Sequence, residues 1–104
     1  MAINFDERKV DENEVVEQVE LFRLDGKTYT MPKTLDGGRV LAFMNEVRTV
    51  GQEAAAVGLL IDLIGPAGYR KLREYPGLKL EDLKAIFDTV GKSALGAVEE
   101  IQGN

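Results

Sequence analysis

Two consecutive stretches in the middle of the chain place apolar residues at helical spacing. Val40, Phe43, Met44, Val47 and Val50 form the first, and after Gly51 the residues Ala55, Ala56, Leu59, Leu60, Leu63 and Ile64 continue on the same period. The spacing predicts helices over about 38–50 and 52–64. Gly51 either closes the first helix in the left-handed conformation or kinks one continuous helix. Between residues 53 and 64 the only charges are Glu53 and Asp62, while Val57 and Ile61 widen the apolar surface beyond one stripe. Such a helix must be covered on more than one side. Two readings stay open: core alone, or core and partner surface together, with Ala54, Ala55, Ala56 and Gly58 allowing close helix approach. A partner surface here would use Leu59, Leu60, Leu63 and Ile64, continued by Tyr69 and Leu72.

Around this centre the remaining patterns fall into place. Over 19–31 two β-prone runs flank Asp25-Gly26, the signature of a two-residue type I′ hairpin. That turn sets Leu24 opposite Lys27, Phe22 opposite Tyr29 and Glu20 opposite Met31. Phe22, Leu24, Tyr29 and Met31 then share a face against the helices, with Arg23, Thr28 and Thr30 on the other. Pro32 stops the second strand. Thr34 or Asp36 is placed to cap the next helix. Gly65-Pro66 ends the apolar helix and opens a short one over about 66–74, with Tyr69 and Leu72 as its apolar edge. Tyr75-Pro76-Gly77-Leu78 reads as a turn. A last helix over about 80–98 offers Leu83, Ile86, Phe87, Val90, Ala94, Ala97 and Val98, with Glu81 and Asp82 at its positive end. Gly91 and Gly96 each weaken it by about 1 kcal/mol relative to alanine, which predicts fraying beyond Val90. Residues 1–17 are acidic with scattered apolar residues and read as a flexible arm, either simply solvated or docking a basic partner segment.

The resulting expectation is one small α+β domain over 18–104, predominantly helical, with a hairpin followed by about four helical segments. Its expected core is Phe22, Leu24, Tyr29, Val40, Phe43, Met44, Val47, Leu59, Leu60, Leu63, Ile64, Leu72, Leu83, Ile86, Phe87 and Val90. A chain of 104 residues supports one modest core.

Composition narrows the chemistry. Cysteine and histidine are both absent, which removes disulfides, the usual nucleophile with its usual base, and the commonest zinc and copper ligands. The chain therefore reads as a non-enzyme without cofactor or metal. A net charge of −5 argues against tracking phosphates. The one dense basic cluster, Arg70, Lys71 and Arg73 between Tyr69 and Tyr75, reads as a solvated helix face, with a site for an acidic partner segment or a nucleic-acid strand as the functional alternatives. Gly91-Lys92-Ser93 ends like a phosphate-binding loop, but Ile86 stands where that motif needs glycine. The acidic start, with Asp6, Glu7, Asp11, Glu12 and Glu14, is no signal peptide, and no apolar run is long enough to span a membrane. A cytoplasmic location is expected.

The order of pieces resembles the tail assembly chaperones of long-tailed bacteriophages, in particular those infecting actinobacteria. The likeness runs over about residues 20–90. It rests on Leu21-Phe22-Arg23-Leu24-Asp25-Gly26-Lys27-Thr28-Tyr29-Thr30-Met31-Pro32, on the leucine-rich helix ending Leu59-Leu60-Ile61-Asp62-Leu63-Ile64-Gly65, on Tyr69-Arg70-Lys71-Leu72, and on Leu78-Lys79-Leu80-Glu81-Asp82-Leu83. The resemblance implies a protein that binds the tape measure protein and keeps it soluble while tail tube subunits polymerise. It also implies action in the cytoplasm of the infected host, absence from the mature virion, association in several copies and a frameshifted longer form. A small oligomeric virion subunit, a head-tail connector or tail completion protein, is the alternative.

Overall fold

In the computed structural model, which describes residues 2–9 and 14–102, Asp25 and Gly26 sit at φ of 52° and 78°. These paired positive values are those of a type I′ turn. The turn joins β1 (Gln18–Leu24) to β2 (Lys27–Pro32) in a two-stranded antiparallel sheet. Leu24 pairs with Lys27 and Phe22 with Tyr29, as the turn dictates. The expected pairing of Glu20 with Met31 does not form. A bulge between Glu20 and Phe22 shifts the register, so that Glu20 lies opposite Thr30 and Val19 opposite Met31. Leu21 and Phe22 are adjacent apolar residues, and strict alternation would turn Val19 and Leu21 to water; the extra residue of the bulge resets the alternation. Val19, Leu21, Phe22 and Leu24 accordingly all pack against the core, while Glu20 and Arg23 stay exposed. The arm expected over 1–17 lies partly outside the described residues. Within them, the Arg8 N–H donates to the Phe5 carbonyl at 3.0 Å, and the Arg8 guanidinium lies 5.0 Å from the Phe5 ring centroid.

Three helices follow: α1 (Gly37–Val50), α2 (Gln52–Glu74) and α3 (Leu80–Gln102). The break expected at Gly65-Pro66 is present as a kink: the stretches expected over 52–64 and 66–74 are joined in α2 across Gly65, whose backbone is not helical, so the about four expected segments form three helices. Gly65 has φ 83° and ψ 155°, and Gly51, between α1 and α2, repeats nearly the same backbone at 95° and 164°. Side chains other than glycine pay about 1–3 kcal/mol in this region. Each glycine thus acts as a one-residue joint, and at the second the following Pro66 loses nothing, because the first N–H groups of a helix have no partner within it. α3 continues to Gln102, past the expected end near 98, with helical backbone through both Gly91 and Gly96. Its start is tied by Asp82, whose carboxylate accepts from the Lys79 N–H at 3.0 Å.

Asp36 caps α1. Its carboxylate accepts from the Arg39 N–H at 3.1 Å, and the Arg39 side chain bridges Asp36 at 3.1 Å and Asp62 of α2 at 2.8 Å. Leu35 and Val40 occupy the two positions of a hydrophobic staple around this cap, and both are buried. Partial desolvation pushes the Asp36 carboxyl up, but the Arg39 amide and guanidinium together outweigh it and hold the group below its ordinary value of 3.8. A carboxylate with a lowered folded pKa contributes stability above its unfolded pKa and loses it as pH falls through the folded one. Asp36→Ala should therefore destabilise the protein by about 1 kcal/mol at neutral pH. Urea unfolding should show the gap from the parent closing below pH 3.8, and Asp36→Asn should retain most of the cap.

The core is built where these elements converge. Tyr29, Met31, Leu35, Val40, Phe43, Ala55, Leu59, Leu60, Ile64, Leu72, Ile86, Val90 and Ala94 are buried. Of the expected core, Phe22, Leu24, Met44, Val47, Leu63, Leu83 and Phe87 are half-buried at its margin. α1 packs chiefly on the first half of α2, β2 packs on α2, and α3 reaches back to β1. At the sheet the approach is closest at Gly68, where a Cβ would stand 2.7 Å from Cε1 of Tyr29. That ring is also stacked on Phe22, with centroids 4.8 Å apart.

Candidate partner-binding surface

The residues expected to carry a partner surface are mostly enclosed. Leu60 is 0% exposed, Leu59 7%, Leu72 6% and Ile64 9%. Leu63 and Tyr69 are half-buried beside them. The hairpin, α1 and α3 supply the cover that the greasy stretch demanded, so the surface expected on Leu59, Leu60, Ile64 and Leu72 is interior in the folded chain. Arg70, Lys71 and Arg73 are exposed on the outer side of the end of α2. Below them a small hollow of about 290 Å³ runs between β1 and the α2–α3 turn, lined by Leu24, Tyr75 and Leu78 among others.

What remains of the surplus lies elsewhere. At the start of α2, Ala56 and Val57 border a hollow whose α3 side carries Phe87 and Gly91, with Leu95 in the adjoining one. These side chains are half-buried rather than covered. Two adjoining hollows of about 370 and 390 Å³ share Gln52, Phe87 and Gly91; α2 walls this shallow trough only through Gln52, Glu53, Ala56 and Val57, and its far part, toward Glu99, lies against α3 and Gln52. Phe87 to Glu99 is twelve helical steps, about 18 Å along α3 at 1.5 Å each. Gly91 and Gly96 lie along its floor. A Cβ on either would meet nothing within 4 Å, and neither has a positive φ, so the fold itself does not require glycine at either place. The rim is acidic: Glu53, Asp88 and Glu99 stand against one cation, Lys92, which Asp88 holds at 3.0 Å.

A second hollow, of about 720 Å³ between α1 and α2, is lined by Asp36, Arg39, Glu46 and Asp62 with Ala42, Gly58 and Leu59. Arg39 holds Asp36 within the cap of α1 and ties α1 to α2 through Asp62. Among the described residues no three or more acidic, histidine or cysteine side chains converge on a point where a metal ion could sit. No described helix is long and apolar enough to cross a membrane.

Sequence reading placed Phe87 in the core and took Gly91 and Gly96 only as weak points of α3. Their spacing gives no common face: five residues apart, they stand about 140° from one another around the helix, with Gly91 half-buried and Gly96 exposed. Ala56 and Val57 flank the stripe of Leu60 and Ile64 on the same side of α2, one turn nearer its start, where they are half-buried. Comparison with protein-family models, with curated proteins and with solved structures gave no match.

Proposed function

We propose that this protein is a non-enzymatic tail assembly chaperone of a long-tailed bacteriophage, binding the tape measure protein and keeping it soluble during tail tube polymerisation. The observation that supports a binding role is the trough: half-buried Ala56, Val57 and Phe87 where α2 begins beside α3, open to solvent and rimmed by charge. Such a shape suits a helix laid into a groove. A long helical client presents many such segments, and several copies bound along it would gain avidity from their shared tether. The tail-assembly assignment itself draws on the likeness in the order of pieces. On this reading the protein works in the host cytoplasm and is left out of the finished virion.

Co-expression with the tape measure protein of the same genome tests the proposal. The client should move from the pellet to the soluble fraction and co-purify with this protein; an unchanged pellet without co-purification rejects it. The alternative, a small virion subunit, draws on a separate observation. Among the described residues the sheet has two strands, so each presents there an edge through which protomers could join. Purified virions separate the two readings, because a subunit is present there in fixed stoichiometry and a chaperone is absent.

A further inference from the structure

We propose that Gly51 is a joint with two positions, through which two copies of this chain exchange the hairpin together with α1. In the closed position seen in the structure, α1 folds back along α2: Arg39, twelve residues before Gly51, meets Asp62, eleven residues after it, at 2.8 Å. In the open position α1 and α2 run on as one helix, and the hairpin and α1 of each chain pack on α2 and α3 of the other. Every contact between the exchanged unit and the rest of the fold re-forms in trans, so the surface that closes the monomer also joins the two copies. Little backbone change is needed. The Gly51 N–H already donates to the Val47 carbonyl at 3.0 Å, and the Ala55 N–H to the Gly51 carbonyl at 3.0 Å, both of them bonds of an uninterrupted α-helix. Between the two helices only Gly51 itself, at φ 95° and ψ 164°, departs from helical angles. No side chain caps the start of α2. Straightening joins the N–H groups of Gln52, Glu53 and Ala54 to the carbonyls of Arg48, Thr49 and Val50, which the break leaves without partners inside a helix. Gly65 has nearly the same backbone but is followed by Pro66, which has no N–H to donate and in a continuous helix would press its ring on the Asp62 carbonyl. At Gly51 the next residue is Gln52, and no such bar exists.

The test follows the mass of the full-length protein by sedimentation equilibrium over a range of concentrations, after a period in mild urea that lets chains exchange and its removal. The parent should be monomeric when dilute and dimeric when concentrated. Gly51→Ala should lower the dimer dissociation constant at least about a hundredfold, because alanine resists the closed position, favours the open one, and occurs at two joints in each dimer. Gly65→Ala should lose stability and remain as monomeric as the parent, since Pro66 bars the straight form. Three glycines inserted after Gly51 should abolish the parent's dimer, because a slack joint closes freely.

Charge distinguishes exchange from association through some other surface. In the Gly51→Ala background, one chain carries Arg39→Glu and a second carries Asp62→Arg. Each alone opposes like charges where α1 meets α2, whether its joint is closed or open, whereas in a mixed exchanged dimer both of these contacts join opposite charges. Mixing the two should give heterodimer well above the share that random pairing produces. A Gly51→Ala chain that is unfolded or stays monomeric overturns the proposal, as does a parent that stays monomeric up to its solubility limit. So do mixed chains that pair at random, and a dimer that survives the glycine insertion. No client takes part in these measurements, so their failure leaves the binding role where co-expression puts it.

Discussion

Leu60→Ala should lower stability by about 2–5 kcal/mol, the usual cost of emptying a closed core site. Leu60 is 0% exposed and lies where α2 is covered by the rest of the chain. For a small domain whose total stability is about 5–15 kcal/mol, that loss moves the urea midpoint far down and can leave much of the protein unfolded at 37 °C. Val57→Ser, three residues away on the wall of the trough, should cost about 1 kcal/mol or less. The pair separates the two roles that the sequence leaves open for this helix. If Leu60 belonged to an open docking surface, its truncation would weaken partner binding with little change in unfolding, and Val57 and Leu60 would behave alike. Circular dichroism across a urea gradient decides between these outcomes.

Gly68→Val should be comparably damaging, by about 3 kcal/mol, through overpacking. A Cβ at this position falls 2.7 Å from Cε1 of Tyr29. The ring has nowhere to go, since it is 6% exposed and stacked on Phe22. Gly68→Ala sets two effects in opposition: alanine favours the helix by about 1 kcal/mol, while the clash costs about 1–3 kcal/mol. The clash involves a pinned ring close to backbone, so the net change should be destabilising. Repeating Gly68→Ala in a Tyr29→Ala background removes the obstacle and should reverse the sign, a coupling that a double-mutant cycle reads directly. Gly91→Ala gives the contrast within the same chain: with open space at its Cβ position, it should stabilise by about 1 kcal/mol. Two buried or half-buried helical glycines thus respond oppositely, one spacing the helix from the sheet and the other spacing it from nothing in this chain.

The parts of the fold that local chemistry determines could be read from the sequence. Asp25-Gly26 has few alternatives to a type I′ turn, Asp36 is a strong cap, and Pro32 ends β2. The periodic positions Val40, Phe43, Leu59, Leu60, Ile86 and Val90 are buried as their spacing implied. What escaped depends on tertiary neighbours. The bulge at Glu20 and Phe22 follows from the need to keep both Val19 and Leu21 inside, although the adjacent Leu21-Phe22 announces a break in alternation. Ala55 and Ala94 are too small to stand out in a hydrophobic pattern, yet tight packing needs small residues as much as large ones, and each is 1% exposed. Leu59, Leu60 and Ile64, expected to carry a partner surface, are enclosed in the folded chain; periodicity counts apolar residues on a helix and says nothing of how many neighbours arrive to cover them. The glycines of α3 read as defects for the same reason.

The contact of α3 with β1 bears on the order in which the molecule assembles. The hairpin closes through neighbouring residues, and α1 meets α2 across the single residue Gly51. Neither event waits on distant parts of the chain. α3 must instead return to β1 over the whole of residues 25–79, and closing a long loop is slow relative to local pairing. The C-terminal helix should therefore be last to dock during synthesis. Until it does, the greasy side of α2 faces the ribosome's surroundings with the hairpin already in place.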